Sequence, residues 1–225
     1  MDQSVVVITG GQGVLGTAAA DLARERGWTV ALIDHAPGDA EAPDRLTLGG
    51  VDLTDADAAR AAMQAVADRF GGIDALLNIA GGFVWQRTEA DAPAHEKMFR
   101  LNLMTCLNAT RAALPWLKRS PEGRVVNVGA NGAVKAEAGM GAYAASKAGV
   151  HRLTEALARE LKDTTVTVNA VLPSILDTPQ NRKDMPDADP GDWVTPRDLA
   201  AVMLFLASPG ARAVRGALVP VTGRV

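Results

Sequence analysis

The chain has 225 residues, 48% hydrophobic and 22% charged, enough apolar residues for a buried core and enough charge to stay in solution. Its net charge of −3, with no segment dominated by lysine or arginine, argues against a binder of nucleic-acid backbones. No apolar run nears the roughly 20 residues that span a bilayer, Met1–Ser4 leads into no signal-peptide core, and one cysteine, Cys106, excludes an internal disulfide, so a single cytoplasmic domain over residues 1–225 is expected.

Val5–Thr9 reads as a buried strand, because its apolar and β-branched run is continuous rather than alternating. A glycine-rich turn opens a helix that reaches about Arg26 and stops at Gly27. Thr29–Asp34 is a second strand and Leu46–Asp52 a weaker third. Thr54 and Asp55 cap an alanine-rich helix to Phe70, which Gly71 and Gly72 end. Ala75–Ile79 is a fourth strand, followed by a looser helical piece at Thr88–Ala94. The long helix Glu96–Lys118 comes next, kinked or ended near Pro115. Arg124–Val128, Thr165–Leu172 and Leu218–Val221 are the remaining strands, with helices at Tyr143–Lys162 and Pro196–Ser208. This alternation predicts an α/β fold: a doubly wound, Rossmann-type parallel sheet of about seven strands with helices on both faces. The segment Asp177–Trp193, rich in proline and acidic residues, follows a strand's carboxyl end, where open sheets of this kind bind ligands, and reads as a substrate lid.

Thr9-Gly10-Gly11-Gln12-Gly13-Val14-Leu15-Gly16 joins the first strand to the first helix. Glycines there let the backbone approach a pyrophosphate, which the helix N-terminus attracts with free N–H groups and its dipole. Asp34 lies 18 residues after Gly16, at the end of the second strand. A carboxylate at that place accepts from ribose hydroxyls and repels a 2′-phosphate, so NAD(H) is expected over NADP(H). The sole tyrosine, Tyr143, stands four residues before Lys147, so both occupy one helix face. A nearby ammonium would lower the phenol's pKa from about 10 toward the working range and make it a proton donor during hydride transfer.

These residues resemble the short-chain dehydrogenase/reductase family over nearly the whole chain. The resemblance makes Tyr143 the proton donor, Lys147 the residue that binds the nicotinamide ribose and tunes the phenol, and Asn102 the holder of a relay water. It assigns the cofactor to Gly10, Gln12, Gly13, Val14, Leu15 and Gly16 in the turn, with Asp52 and Leu53 at the adenine. Asn78, Ala80 and Gly81 would form the cofactor wall, and Pro173, Leu176 and Thr178 the nicotinamide end. It also implies a homodimer or homotetramer formed through helices 96–118 and 143–162.

Two departures matter. Val14 stands where the family turn has glycine, with Gly13 one place earlier, and Ala130 stands 13 residues before the tyrosine, where the family has its catalytic serine. Asn131 is the nearest polar substitute. Both departures resemble the NADH-dependent quinonoid dihydropteridine reductases, as do Ala80-Gly81-Gly82 before an aromatic residue, Gly139-Met140, and Leu176–Lys183 with Met185–Asp189 and Trp193. The resemblance implies reduction of a quinonoid dihydropterin by NADH. The alternatives are a carbonyl reductase or alcohol dehydrogenase of the same family, and an NAD(H)-binding protein without turnover. Trp85 and Trp193 could stack on a flat substrate or serve in packing. Cys106 reads as a small buried residue, and the scattered His35, His95 and His151 have no metal-ligand spacing.

Overall fold

The computed structural model describes residues 4–90 and 93–225. Its elements in chain order are β1 (Val5–Thr9), α1 (Val14–Glu25), β2 (Thr29–Ile33), β3 (Ala40–Ala42), β4 (Arg45–Leu48), α2 (Ala56–Phe70) and β5 (Ala75–Asn78). There follow α3 (Pro93–Met98), a π-helical segment (Phe99–Met104), α4 (Thr105–Leu117), β6 (Arg124–Val128), α5 (Gly141–Glu160), β7 (Thr167–Pro173), α6 (Pro179–Asp184), α7 (Pro196–Leu206) and β8 (Leu218–Val221).

The strands form one sheet in the order β3-β4-β2-β1-β5-β6-β7-β8, parallel except where β3 runs antiparallel to β4. β3 raises the strand number from about seven to eight. It is a three-residue edge strand, two of its residues exposed, and has no apolar run to announce it. The predicted third strand shortens to Arg45–Leu48. Part of the helical piece expected at Thr88–Ala94 lies outside the described residues; Thr88–Ala90 form no helix and α3 starts at Pro93. Pro115 does not end its helix, which continues to Leu117.

Both faces of the sheet are covered, which explains the continuous apolar runs. Val5 and Val7 pack with Met63, Val66 and Leu117 from α2 and α4 on one face. Val6 and Ile8 pack with Leu15, Ala19, Leu199 and Met203 from α1 and α7 on the other. Asp55 caps α2 by accepting from the backbone N–H groups of Asp57 and Ala58.

The chain leaves β1 in opposite directions to build β2 and β5, so a crevice opens at their carboxyl ends. Thr9 closes its floor: Oγ1 accepts from the N–H groups of Ile79 and Ala80 at 3.0 and 3.1 Å.

Candidate active site

A cavity of about 970 Å³ fills this crevice. Of the residues expected to hold a cofactor, it is lined by Gly10, Gln12, Gly13, Val14, Leu15, Gly16, Asp34, Asp52, Leu53, Ala80, Gly81, Leu176 and Thr178. An adjoining cavity of about 630 Å³ shares Val14, Ile79, Gly81, Leu176 and Thr178 and adds Gly82, Phe83, Tyr143, Lys147, Pro179 and Gln180.

At the turn, Gly13 is the extended N-cap of α1, and no side chain caps the helix. Its first-turn N–H groups therefore have no side-chain acceptor. A Cβ on Gly16 would collide with the Gly10 carbonyl, so the close turn admits only glycine there. Asp34 ties the turn to the end of β2: Oδ2 accepts from the Gln12 N–H at 2.8 Å and Oδ1 from the Ala36 N–H at 3.0 Å. Each oxygen keeps a lone pair for a further donor. Hydrogen bonds from the Thr54 side chain and N–H hold the Asp52 carboxyl below its ordinary pKa, with His35 and Arg100 adding positive charge.

At the other end, Lys147 Nζ donates to the Val128 carbonyl at 2.7 Å. Burial pushes its pKa down to about 8. Tyr143 is half-buried, its ring edge-on to Phe83 with centroids 5.0 Å apart. Burial pushes its phenol up to about 12. The expected lowering by the neighbouring ammonium is therefore corrected: Lys147 is turned to a backbone carbonyl, and desolvation is what sets the tyrosine.

Asn102 lies within the π-helical segment, buried, and lines neither cavity. Its Nδ2 donates to the Gly82 carbonyl at 3.1 Å and to Ser146 Oγ at 2.9 Å, while Oδ1 accepts from the Gly82 N–H at 2.9 Å. The side chain thus fixes the loop after β5 rather than facing the cavity. Asn78 is also corrected. It sits behind the wall, its amide donating to Thr110 Oγ1 at 2.9 Å and Asn127 Oδ1 at 2.8 Å. Pro173, the last residue of β7, lines neither cavity; the chain meets them three residues later, at Leu176.

Ala130 is buried, with an extended backbone. Asn131 starts a short 3-10 turn and, like Ala130, lines neither cavity. The two tryptophans separate. Trp193 is buried, whereas Trp85 is 59% exposed, its Nε1 donating to the Ala138 carbonyl at 3.0 Å. The segment 177–193 contains α6, whose N-cap Thr178 accepts from the Asn181 N–H at 3.1 Å. Its two ends meet in a bridge between Leu176 and Val194. Cys106 is buried, as read. Among the described residues no group of three or more His, Cys, Asp or Glu is placed to hold a metal ion, and no helix is long and apolar enough to cross a membrane.

A glycine turn on a helix N-terminus, beside a Tyr/Lys pair on one helix face, agrees with the comparisons. The family model for short chain dehydrogenases matches residues 4–189. This chain belongs to the short-chain dehydrogenase family. It is 30% identical over 240 residues to the 3-oxoacyl-(acyl-carrier-protein) reductase of Vibrio cholerae, covering 99% of this chain and 97% of that protein. It is 31% identical to the cis-4-hydroxycyclohexanecarboxylate dehydrogenase of Sinomonas cyclohexanicum, covering 98% of this chain and 96% of that one. Among solved structures, the 3-ketoacyl-(acyl-carrier-protein) reductase of Brucella melitensis complexed with NADH has a TM-score of 0.86 at 27% identity, covering 98% of each chain.

Membership makes the chain an oxidoreductase of a family that binds nicotinamide cofactors, and the cavity fits such a group. The glycine turn, Asp34, Asp52 and Leu53 would hold the adenosine half, and Ala80, Gly81, Leu176 and Thr178 the nicotinamide half. Glu96, Lys97 and Arg100, which line the first cavity of this short-chain dehydrogenase, escaped sequence reasoning, and Phe83 and Gln180 on the second were read only as parts of motifs. Phe83 was legible as the aromatic residue after Gly81-Gly82. Which side of the 93–104 helix faces the crevice was not, because a π-helical turn resets its rotation.

Proposed function

We propose that this short-chain dehydrogenase is an NADH-dependent reductase of a planar, conjugated nitrogen heterocycle, with a quinonoid dihydropterin as the substrate that fits best. The observation that carries the reading is Ala130. Among the side chains lining the cavity around Tyr143 the one aliphatic hydroxyl is that of Thr178, at the N-cap of α6 rather than at the position of Ala130. A ketone needs a hydrogen-bond donor to hold its oxygen beside the phenol, whereas a quinonoid imine needs only hydride and one proton. Phe83, exposed and edge-on to the Tyr143 ring, supplies an apolar wall for a flat ring.

When bound, the dinucleotide supplies the hydride. Tyr143, a phenol throughout the neutral range, gives its proton to the substrate nitrogen. The phenolate left behind is reprotonated from solvent, with the Lys147 ammonium, held at the Val128 carbonyl, the positive charge that shares its helix face. Asn102 keeps the Gly82 loop in place beside them. Asp34 supports NADH over NADPH, because its carboxylate lines the adenosine end and repels a 2′-phosphate.

The names of the relatives favour a second reading, reduction of a ketone. The test is NADH and NADPH oxidation with freshly generated quinonoid dihydropterin, set against a 3-oxoacyl thioester and cyclic ketones. Fast pterin turnover with NADH and weak ketone turnover are expected, with Ala130→Ser raising the ketone rate. Strong native ketone reduction that Ala130→Ser leaves unchanged selects the second reading. Tight NADH binding with no turnover of any substrate selects a binding protein.

The chain is further proposed to work in the cytoplasm as a homodimer or homotetramer formed through the helices over 96–118 and 143–162. Phe99 and Met104, 41% and 38% exposed, present apolar surface on the first of them. Light scattering of the purified protein measures the assembly, and a monomer rejects it.

A further inference from the structure

Successive turns of α5 are pinned to the exit of β6. Lys147 Nζ donates to the Val128 carbonyl at 2.7 Å, and one turn later His151 Nε2 accepts the Ala130 backbone N–H at 3.2 Å. Beyond it, Thr154 Oγ1 accepts from the Asn127 amide at 2.8 Å. The spacing of four from Tyr143 to Lys147 and again to His151 puts phenol, ammonium and imidazole along one helix face. His151 is 3% exposed, and a Cβ on Gly129 would lie 2.5 Å from its Nε2, so ring and backbone are in close contact. Ala130 offers no side-chain hydrogen bond. Its place rests on the backbone, the carbonyl accepting from the Ala133 N–H at 3.1 Å and its own N–H going to the imidazole.

We infer that His151 is a positioning residue of this site: by accepting the Ala130 N–H it sets the Val128–Ala130 backbone, and through the Val128 carbonyl the place of the Lys147 ammonium. The inference rests on the reading that Tyr143 and Lys147 move the proton. An N–H donated to Nε2 requires that nitrogen to be bare, so the neutral ring carries its hydrogen on Nδ1. Burial, with the positive charges of Arg152 and Lys147, outweighs the negative charge of Glu155 and holds the imidazole below its ordinary pKa. Residues Val128–Ala130, and Leu172 of β7, which reaches Gly129, bring no titratable side chain to it. A proton on Nε2 would face the Ala130 N–H and break the bond. The contact is therefore intact above about pH 6.5 and is lost as the pH falls through the lower, folded value.

The test compares His151→Leu, which removes the acceptor, with His151→Gln, which keeps a neutral one, in protein saturated with NADH. The expected result is a fall of about tenfold in kcat for His151→Leu, with NADH still bound, since small displacements of catalytic groups cost rate steeply. His151→Gln is expected to recover at least half of the rate and to lose the acid limb of the pH–rate profile. Wild-type kcat and acid limb in His151→Leu, or equal losses in both variants that track melting temperature, overturn it. Nitrogen-15 NMR of the imidazole supplies an arm that needs neither substrate nor the leucine variant. A bare Nε2 and protonated Nδ1 at neutral pH are expected, and the opposite tautomer overturns the inference. Absence of turnover with every substrate counts against the proton-transfer reading, while the NMR result judges the His151–Ala130 bond by itself.

Discussion

Burial moves the two partners of the Tyr143–Lys147 pair in opposite directions, the phenol up to about 12 and the ammonium down to about 8. Each shift disfavours the charged form, as desolvation must. The tyrosine therefore remains a proton donor over the whole neutral range, and the limiting charge is that of the lysine. For Lys147 the charged form is present below about pH 8 and is lost as the pH rises through it. The rate of substrate reduction at saturating NADH is accordingly expected to be level near neutrality and to decline above about pH 8; a profile still level at pH 10 contradicts this. Tyr143→Phe is expected to lower kcat by about 100-fold or more, the usual worth of a positioned acid. NADH affinity, followed by nucleotide fluorescence, should stay near wild type, since the missing hydroxyl belongs to the substrate end.

At the scale of elements, the loop after β5 and the segment before α5 are packed together. Trp85 is fixed by the Ala138 carbonyl and lies directly over Gly139, whose φ of +79° is unfavourable for residues with a Cβ. A methyl group there would run into the indole ring. Gly139→Ala is expected to cost roughly 1–2 kcal/mol of stability from the left-handed backbone and to displace Trp85. The KM for a planar substrate should rise several-fold while that for NADH is unchanged, a split that steady-state kinetics with each ligand varied in turn will show. The π-helical segment works in the same way, delivering Asn102 to both backbone groups of Gly82 and to Ser146. A regular α-helix of the same residues would aim that side chain elsewhere.

Over the whole molecule, the crevice is built from distant parts of the chain: the turn after β1, the end of β2, the loops after β4 and β5, the 93–104 helix and the stretch after β7 at Leu176 and Thr178. A ligand that bridges them binds only the folded protein. NADH at about 100 times its Kd should stabilise by about 2.7 kcal/mol, a rise in Tm of roughly 5–10 °C for a chain of this size. Differential scanning fluorimetry with NADH and NADPH reads this directly, and Asp34 favours the larger shift with NADH. Equal shifts with both nucleotides would show that its carboxylate does not discriminate.

Local pattern was enough to read the parallel sheet, the glycine turn, Asp34 and the Tyr143/Lys147 face. A doubly covered strand must be continuously apolar, and residues four apart on a helix must share a side. Those rules act over a few residues and leave their mark in the order of amino acids. Packing set what that order could not show. β3 is paired only because β4 lies beside it, and Asn78 and Asn102 turn to buried partners rather than to the cavity because strands and helices close over them. Trp193 goes to the interior and Trp85 to the surface over Gly139, though the sequence offered both as stacking partners for a flat substrate. His151 meets Ala130 across 21 residues through a single hydrogen bond. Burial, side-chain direction and pKa all depend on which distant atoms exclude water from a group, and that is a property of three-dimensional packing.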